Sequence, residues 1–237
     1  MFSCKLVHKI NNKWIKWRLR PIRVFVFHQV SDVYDASTMW RCDWTQTEHF
    51  KELISSLQAR YQFISLSEAY DKLLHDFYRR EDFAVLTSDD GWLSVRSILP
   101  WLDSQKIPIT LFLNPAYMMQ NEVREHGMDK LLTASMVRDI VATYDNVTIA
   151  SHGWNHGNCV VQNRELFGKN VRLSNEYLRL YDSFIPFFAY PCGYHTVWQD
   201  LYLHSSDLIP VYCDGMCNYH VSSGIHRECI DGKIDIE

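Results

Sequence analysis

The sequence contains no run of 18 apolar residues, so no segment of it is long enough to form a transmembrane helix. It has no low-complexity stretch, no internal repeat and no linker-like composition. That excludes repeat architectures and favours one domain for the 237 residues. The N-terminus has no apolar secretory core followed by a small-residue cleavage site. Its seven cysteines (4, 42, 159, 192, 213, 217 and 229) are odd in number and irregularly spaced, and no second pair matches the Cys213–Cys217 spacing. No disulfide framework or zinc motif follows from them, and the expectation is a reduced, cytoplasmic chain.

Acid is absent from residues 1–23, which carry seven Lys or Arg, while all 28 Asp and Glu lie beyond them. An acidic body argues against nucleic acid as a partner. Leu6, Ile10, Trp14 and Trp17 recur at helical spacing among these lysines. A basic amphipathic segment over residues 1–21 suits peripheral contact with an anionic membrane through residues 1–20, at the inner face of the cytoplasmic membrane. A terminal helix docked on its own domain, lysines outward, satisfies the same pattern.

From residue 22 onward, apolar runs of strand length alternate with helix-length amphipathic stretches. Strands are expected at 22–30, 61–66, 83–88, 108–113, 146–151, 185–190, 208–213 and 225–230. Helices are expected over 45–60, 68–78 (capped by Ser67), 93–105, 134–144 (capped by Thr133) and 164–182. Such alternation indicates βα units and a mostly parallel sheet. In a parallel barrel the strand C-termini share one face, where active sites form. His28 follows the first run, Asp89 and Asp90 the third, His152 the fifth, and Tyr190-Pro191-Cys192-Gly193 the sixth.

Asp-Gly is a common turn, so "DDG" (89–91) means little alone. "SHGWNHGN" (151–158) adds two histidines four apart, which one helical turn would bring to the same side. Two imidazoles and a carboxylate make a three-ligand set for a catalytic divalent metal. A cation would also offset the repulsion between adjacent Asp89 and Asp90.

"TSDDG", "SHGWNH" and "FFAYPCG", in that order, resemble the polysaccharide deacetylases of carbohydrate esterase family 4. The resemblance covers residues 22 to 230. "FHQV" and "HRECI" are similar to a branch of that family acting on bacterial cell-surface glycans. It implies a distorted (β/α)7-type barrel as a single domain over residues 22–237, and hydrolysis of N-acetyl groups on amino sugars. It implies Asp89 as general base, Asp90, His152 and His156 as metal ligands, and the backbone N–H of Cys192 as oxyanion donor. The metal it implies is Zn²⁺, with Co²⁺ or Ni²⁺ as substitutes. An arginine of the family's third motif is replaced here by Ala189, and Arg227 is the candidate to orient Asp89 instead. The family's late catalytic-acid histidine is not visible. His28, His220 and His226 are candidates for its role, His28 first because it follows a site-lining strand. Trp92, Trp154 and Tyr190 are candidates for stacking on sugar.

The expected activity is therefore removal of N-acetyl groups from an amino sugar of a surface polysaccharide or its lipid-linked precursor. A carbohydrate O-acetyl esterase and a non-catalytic glycan-binding protein are the alternatives.

Overall fold

A computed structural model describes residues 19–34, 44–119, 131–221 and 223–233. The basic N-terminal segment, apart from its last three residues, lies outside the described residues. The strands are β1 (Ile22–Phe27), β2 (Gln29–Val30), β3 (Trp44–Thr45), β4 (Gln62–Phe63), β5 (Phe83–Ser88), β6 (Ile109–Leu113), β7 (Val147–Ser151), β8 (Phe184–Ala189), β9 (Ile209–Cys213) and β10 (Ile225–Cys229). Seven of them run β1-β10-β9-β8-β7-β6-β5 around one sheet, and parallel pairing of β1 with β5 closes the ring. The protein is thus a parallel (β/α)7 barrel with β4 added beside the start of β5. Helices Thr47–Gln58, Ala134–Thr143 and Arg164–Leu178 are among those between the strands.

Side chains alternate across a strand with a period of two, and this alternation sorts the core. Phe25, Phe27, Ala84, Leu86, Leu111 and Ile149 face outward to the helices. Ile22, Val24, Val85, Phe112, Ala150, Ala189, Val211 and Ile225 fill the barrel. Following the inward series to the C-terminal end of the strands and just past it leads to His28, Thr87, Asp89, Asn114, His152 and Arg227. The polar site residues thus lie at the C-terminal end of inward series that are largely apolar lower in the barrel, the Thr110–Thr148 hydroxyl pair excepted.

Several boundaries differ from the sequence expectation. The second strand shrinks to Gln62–Phe63 because Ser65, rather than Ser67, caps the following helix, its side chain accepting from the Glu68 amide at 3.1 Å. The 93–105 helix is a 3₁₀ turn, Leu93–Ser97, followed by Leu99–Ser104; Pro100 lacks an N–H and sits in the first turn of the latter. Helix Arg164–Leu178 stops four residues short of the expected 182. Helix Val197–Ser205, opened by a Thr196–Gln199 capping box, was not foreseen. Its apolar residues lie on several faces, and Val197 and Leu201 are exposed, so no stripe reveals it.

Candidate active site

Asp90 and Gly91 both adopt the left-handed conformation, with φ of 69° and 73°. Aspartate tolerates that region, and Gly91 is required there, since a Cβ would also meet Leu113 Cδ2 at 2.8 Å. The reversal after β5 leaves Asp89 on its inward position and turns Asp90 back toward the same cavity. The second motif is not helical, contrary to the sequence expectation. Gly153 and His156 have φ of 77° and 53°, and this loop, not a helical turn, brings His152 and His156 to a ring separation of 5.0 Å. Buried Asn114 holds the loop by donating to the carbonyls of His152 and Gly153.

Asp90 Oδ1 lies 3.2 Å from His152 Nε2 and 3.1 Å from His156 Nε2. His152 is 2% exposed, and its Nδ1 donates to the Ala189 carbonyl at 2.9 Å. That bond fixes the tautomer and leaves the Nε2 lone pair facing Asp90. Asp90 Oδ1 is buried and has no hydrogen-bond partner. A carboxylate oxygen and an imidazole lone pair, mutually facing and unsatisfied, are what a shared cation resolves. The three residues thus fit a divalent metal. Trp92 Nε1 donates to the other oxygen, Asp90 Oδ2, at 3.1 Å.

Asp89 is 4% exposed and Arg227 1% exposed. Arg227 Nη1 and Nη2 donate to Asp89 Oδ1 and Oδ2 at 2.7 and 2.8 Å, a bidentate pair. Arg227 also donates to Thr87 Oγ1 and the Tyr212 carbonyl, and its guanidinium lies 4.9 Å from the Phe112 ring centroid. Burial alone would raise the Asp89 carboxyl; the Arg227 charge overcomes this and holds it below its ordinary value. The place Ala189 leaves free is thus met from β10, on the other side of β9.

His28 follows β1 level with Asp89, whose amide donates to the Phe27 carbonyl. Its Nδ1 lies 2.6 Å from Asp231 Oδ2, and its amide donates to Asp231 Oδ1 at 3.0 Å. Burial opposes protonation, but the Asp231 contacts prevail and push the imidazole well above its ordinary value. Asp231 was not singled out from sequence. The only signal was its place two residues past the last strand. Of the other two candidates, His226 occupies the outward position next to Arg227 and bonds Asp214, and His220 is exposed.

Cys192 has φ of 61° in the turn Pro191–Gly193 after β8; its side chain is exposed, and partial desolvation and then the Asp90 charge raise its thiol. Tyr190, contrary to the expectation of sugar stacking, is 2% exposed, packed among Phe167, Phe188 and Tyr212, and its hydroxyl donates to Asp200. No face of it is available to a sugar, because it is on the outward side of β8. Trp154 is half-buried edge-on to Tyr177, and Cys213 and Cys217 are free.

Together these features define a parallel barrel that holds a buried, arginine-paired carboxylate beside a metal-type triad at the strand C-termini. The family model for polysaccharide deacetylase matches residues 78–203, and the chain belongs to that family. No curated protein matches its sequence. Among solved structures it is similar to PplD of Streptococcus pyogenes in complex with acetate (TM-score 0.74, 16% identity, covering 92% of this chain and 95% of that one). IcaB from Ammonifex degensii gives a TM-score of 0.71 at 19% identity, over 91% and 94% of the two chains. A de-N-acetylase from Aggregatibacter actinomycetemcomitans also gives 0.71, at 14% identity over 87% and 94%. At these identities the likeness shows the fold.

Proposed function

We propose that the protein is a metal-dependent N-deacetylase acting on an amino sugar of a surface polysaccharide or of its lipid-linked precursor. The observation that carries this reading is the presence at one barrel mouth of a carboxylate paired with an arginine and an imidazole paired with a carboxylate. Arg227 favours the ionised form of Asp89, and Asp231 favours the protonated form of His28. A base and an acid whose surroundings push their protonation apart are what amide hydrolysis requires. The leaving amine must receive a proton, whereas an alcohol leaves more readily; the His28–Asp231 pair therefore favours the amide over the ester. The similarity to a de-N-acetylase supports the same choice.

When bound by Asp90, His152 and His156, a divalent metal such as Zn²⁺ supplies Lewis acidity toward water and the acetyl carbonyl. Asp89 accepts the proton of the attacking water, and Arg227 holds the carboxylate in register. His28 delivers a proton to the departing nitrogen. The Cys192 amide is assigned to the developing oxyanion. The basic segment 1–20 would hold the enzyme at an anionic membrane face, where a lipid-linked glycan is presented.

Acetate release from N-acetylated and O-acetylated hexosamine oligomers, with zinc, cobalt or nickel supplied, tests the reading. The N-acetyl substrate should turn over, and Asp89→Asn should abolish release. Release from the O-acetyl substrate alone would establish an esterase. Glycan binding without release, unchanged in Asp89→Asn, would establish a binding protein. Equal recovery of the full chain and a chain lacking residues 1–20 on anionic vesicles would remove the membrane assignment.

A further inference from the structure

Among the described residues, one other group brings metal-ligating atoms together: those of His28, Cys229 and Asp231 all lie within 4.8 Å of one another. Backbone pairing sets this arrangement. Val26 is in register with Cys229, and the Ile230 amide donates to the Val26 carbonyl at 2.9 Å. Cys229 continues the inward series Ile225, Arg227 on β10. The Asp231 carboxylate, 0% exposed, accepts from the His28 amide, and His28 Nδ1 and Cys229 Sγ lie 2.6 and 3.2 Å from its Oδ2. Among the described residues no lysine or arginine pairs with it.

Imidazole, thiol and carboxylate are a donor set that zinc and cobalt accept, and the sulfur favours them over harder cations. We infer that His28, Cys229 and Asp231 form a second, thiophilic divalent-metal site beside the first, whose filling removes His28 from proton transfer. The inhibitory part rests on the role proposed above for His28; the binding part does not. Nitrogen and oxygen ligands in a tetrahedral zinc shell stand about 3.4 Å apart. The Asp90–imidazole distances of 3.1 and 3.2 Å are close to that spacing, whereas the His28–Asp231 contact of 2.6 Å must open by ~0.8 Å. The Asp90 site therefore fills first and the second fills with metal in excess. Binding there releases the Cys229 thiol proton and the proton shared by His28 and Asp231. The ring is then a neutral ligand through Nδ1, with no acidic proton to give the leaving amine.

The test is a Co²⁺ titration of the chelator-stripped full chain, followed by absorption spectroscopy. The first equivalent should produce ligand-field bands without sulfur character. The second should add the near-ultraviolet charge-transfer band of a cobalt thiolate, because only the second site contains sulfur. Cys229→Ser should lose that band and keep the first equivalent, while His152→Ala should lose the first-site bands and keep the thiolate band. Absence of the thiolate band in excess cobalt, or its persistence in Cys229→Ser, would overturn the site. These spectra read out whether or not the protein deacetylates anything. In an active preparation, excess Zn²⁺ should slow acetate release about a hundredfold in wild type and leave Cys229→Ser unaffected. Equal inhibition of both would overturn the regulatory part.

Discussion

Arg227→Met is the substitution on which the site's electrostatics are most exposed. It keeps most of the side-chain volume inside the barrel but removes both bonds to Asp89 and those to Thr87 and the Tyr212 carbonyl. Stranding one member of a buried pair costs about 3–5 kcal/mol. The alternative open to Asp89 is to take up a proton. Starting from an ordinary aspartate, that costs about 4 kcal/mol at pH 7, from 1.36 kcal/mol per pH unit. The cheaper route sets the penalty, so the metal-free variant should lose about 3–4 kcal/mol at pH 7 in urea or guanidinium unfolding. The sign with pH follows. In wild type the depressed Asp89 contributes its full stability above the ordinary aspartate range and loses it as the pH falls through the lowered value. In the variant a neutral Asp89 becomes cheaper as the pH falls, so the gap should narrow by up to about 2.7 kcal/mol between pH 7 and 5. Asp89→Asn combined with Arg227→Met should be less destabilised than the sum of the single changes, because the stranded charge is gone. Acetate release should fall at least about a hundredfold in Arg227→Met, since a protonated Asp89 accepts nothing. A loss below ~1 kcal/mol at pH 7, or a gap independent of pH, would refute the reasoning.

Three further outcomes are expected. Asp231→Asn takes away the charge that keeps His28 protonated; kcat should fall about tenfold or more with little change in KM, and the alkaline limb of the rate profile should move to lower pH. An unmoved limb would remove His28 from the role. Tyr190→Phe deletes a buried hydroxyl bonded to Asp200 and should cost about 1–2 kcal/mol in thermal unfolding without altering KM, as a residue away from substrate would. Glu228 pairs with Arg23 and Lys233, which overcome its burial and lower its carboxyl. Its contribution is complete above the ordinary glutamate range and lost as the pH falls through the lowered value, so Glu228→Gln should flatten the acid side of the stability profile.

Apolar runs such as 83–88 and 146–151 were legible because a strand buried on both faces has no polar alternation. The charged and imidazole groups that ended them stood out for the same reason. Asp89, Asp90, His152 and His156 could thus be picked out in order along the chain, and the βα alternation implied the parallel barrel that shares their ends. What the local pattern could not carry was geometry made by left-handed turns: the histidines converge through Gly153 and His156, not through a helix. Nor could it show partners distant in sequence. Arg227 reaches Asp89, and Asp231 reaches His28, only because β10 comes round to pair with β1 and the ring closes on β5. Tyr190 ends the sixth apolar run and so reads as a stacking candidate, but alternate side chains of a strand face opposite ways, and the inward parity belongs to Ala189. The sequence alone determined which residue types end the strands and hence the class of chemistry. Tertiary closure decided their partners, and so which protonation state each pairing favours, because burial and opposite charge act through space between segments that lie far apart along the chain.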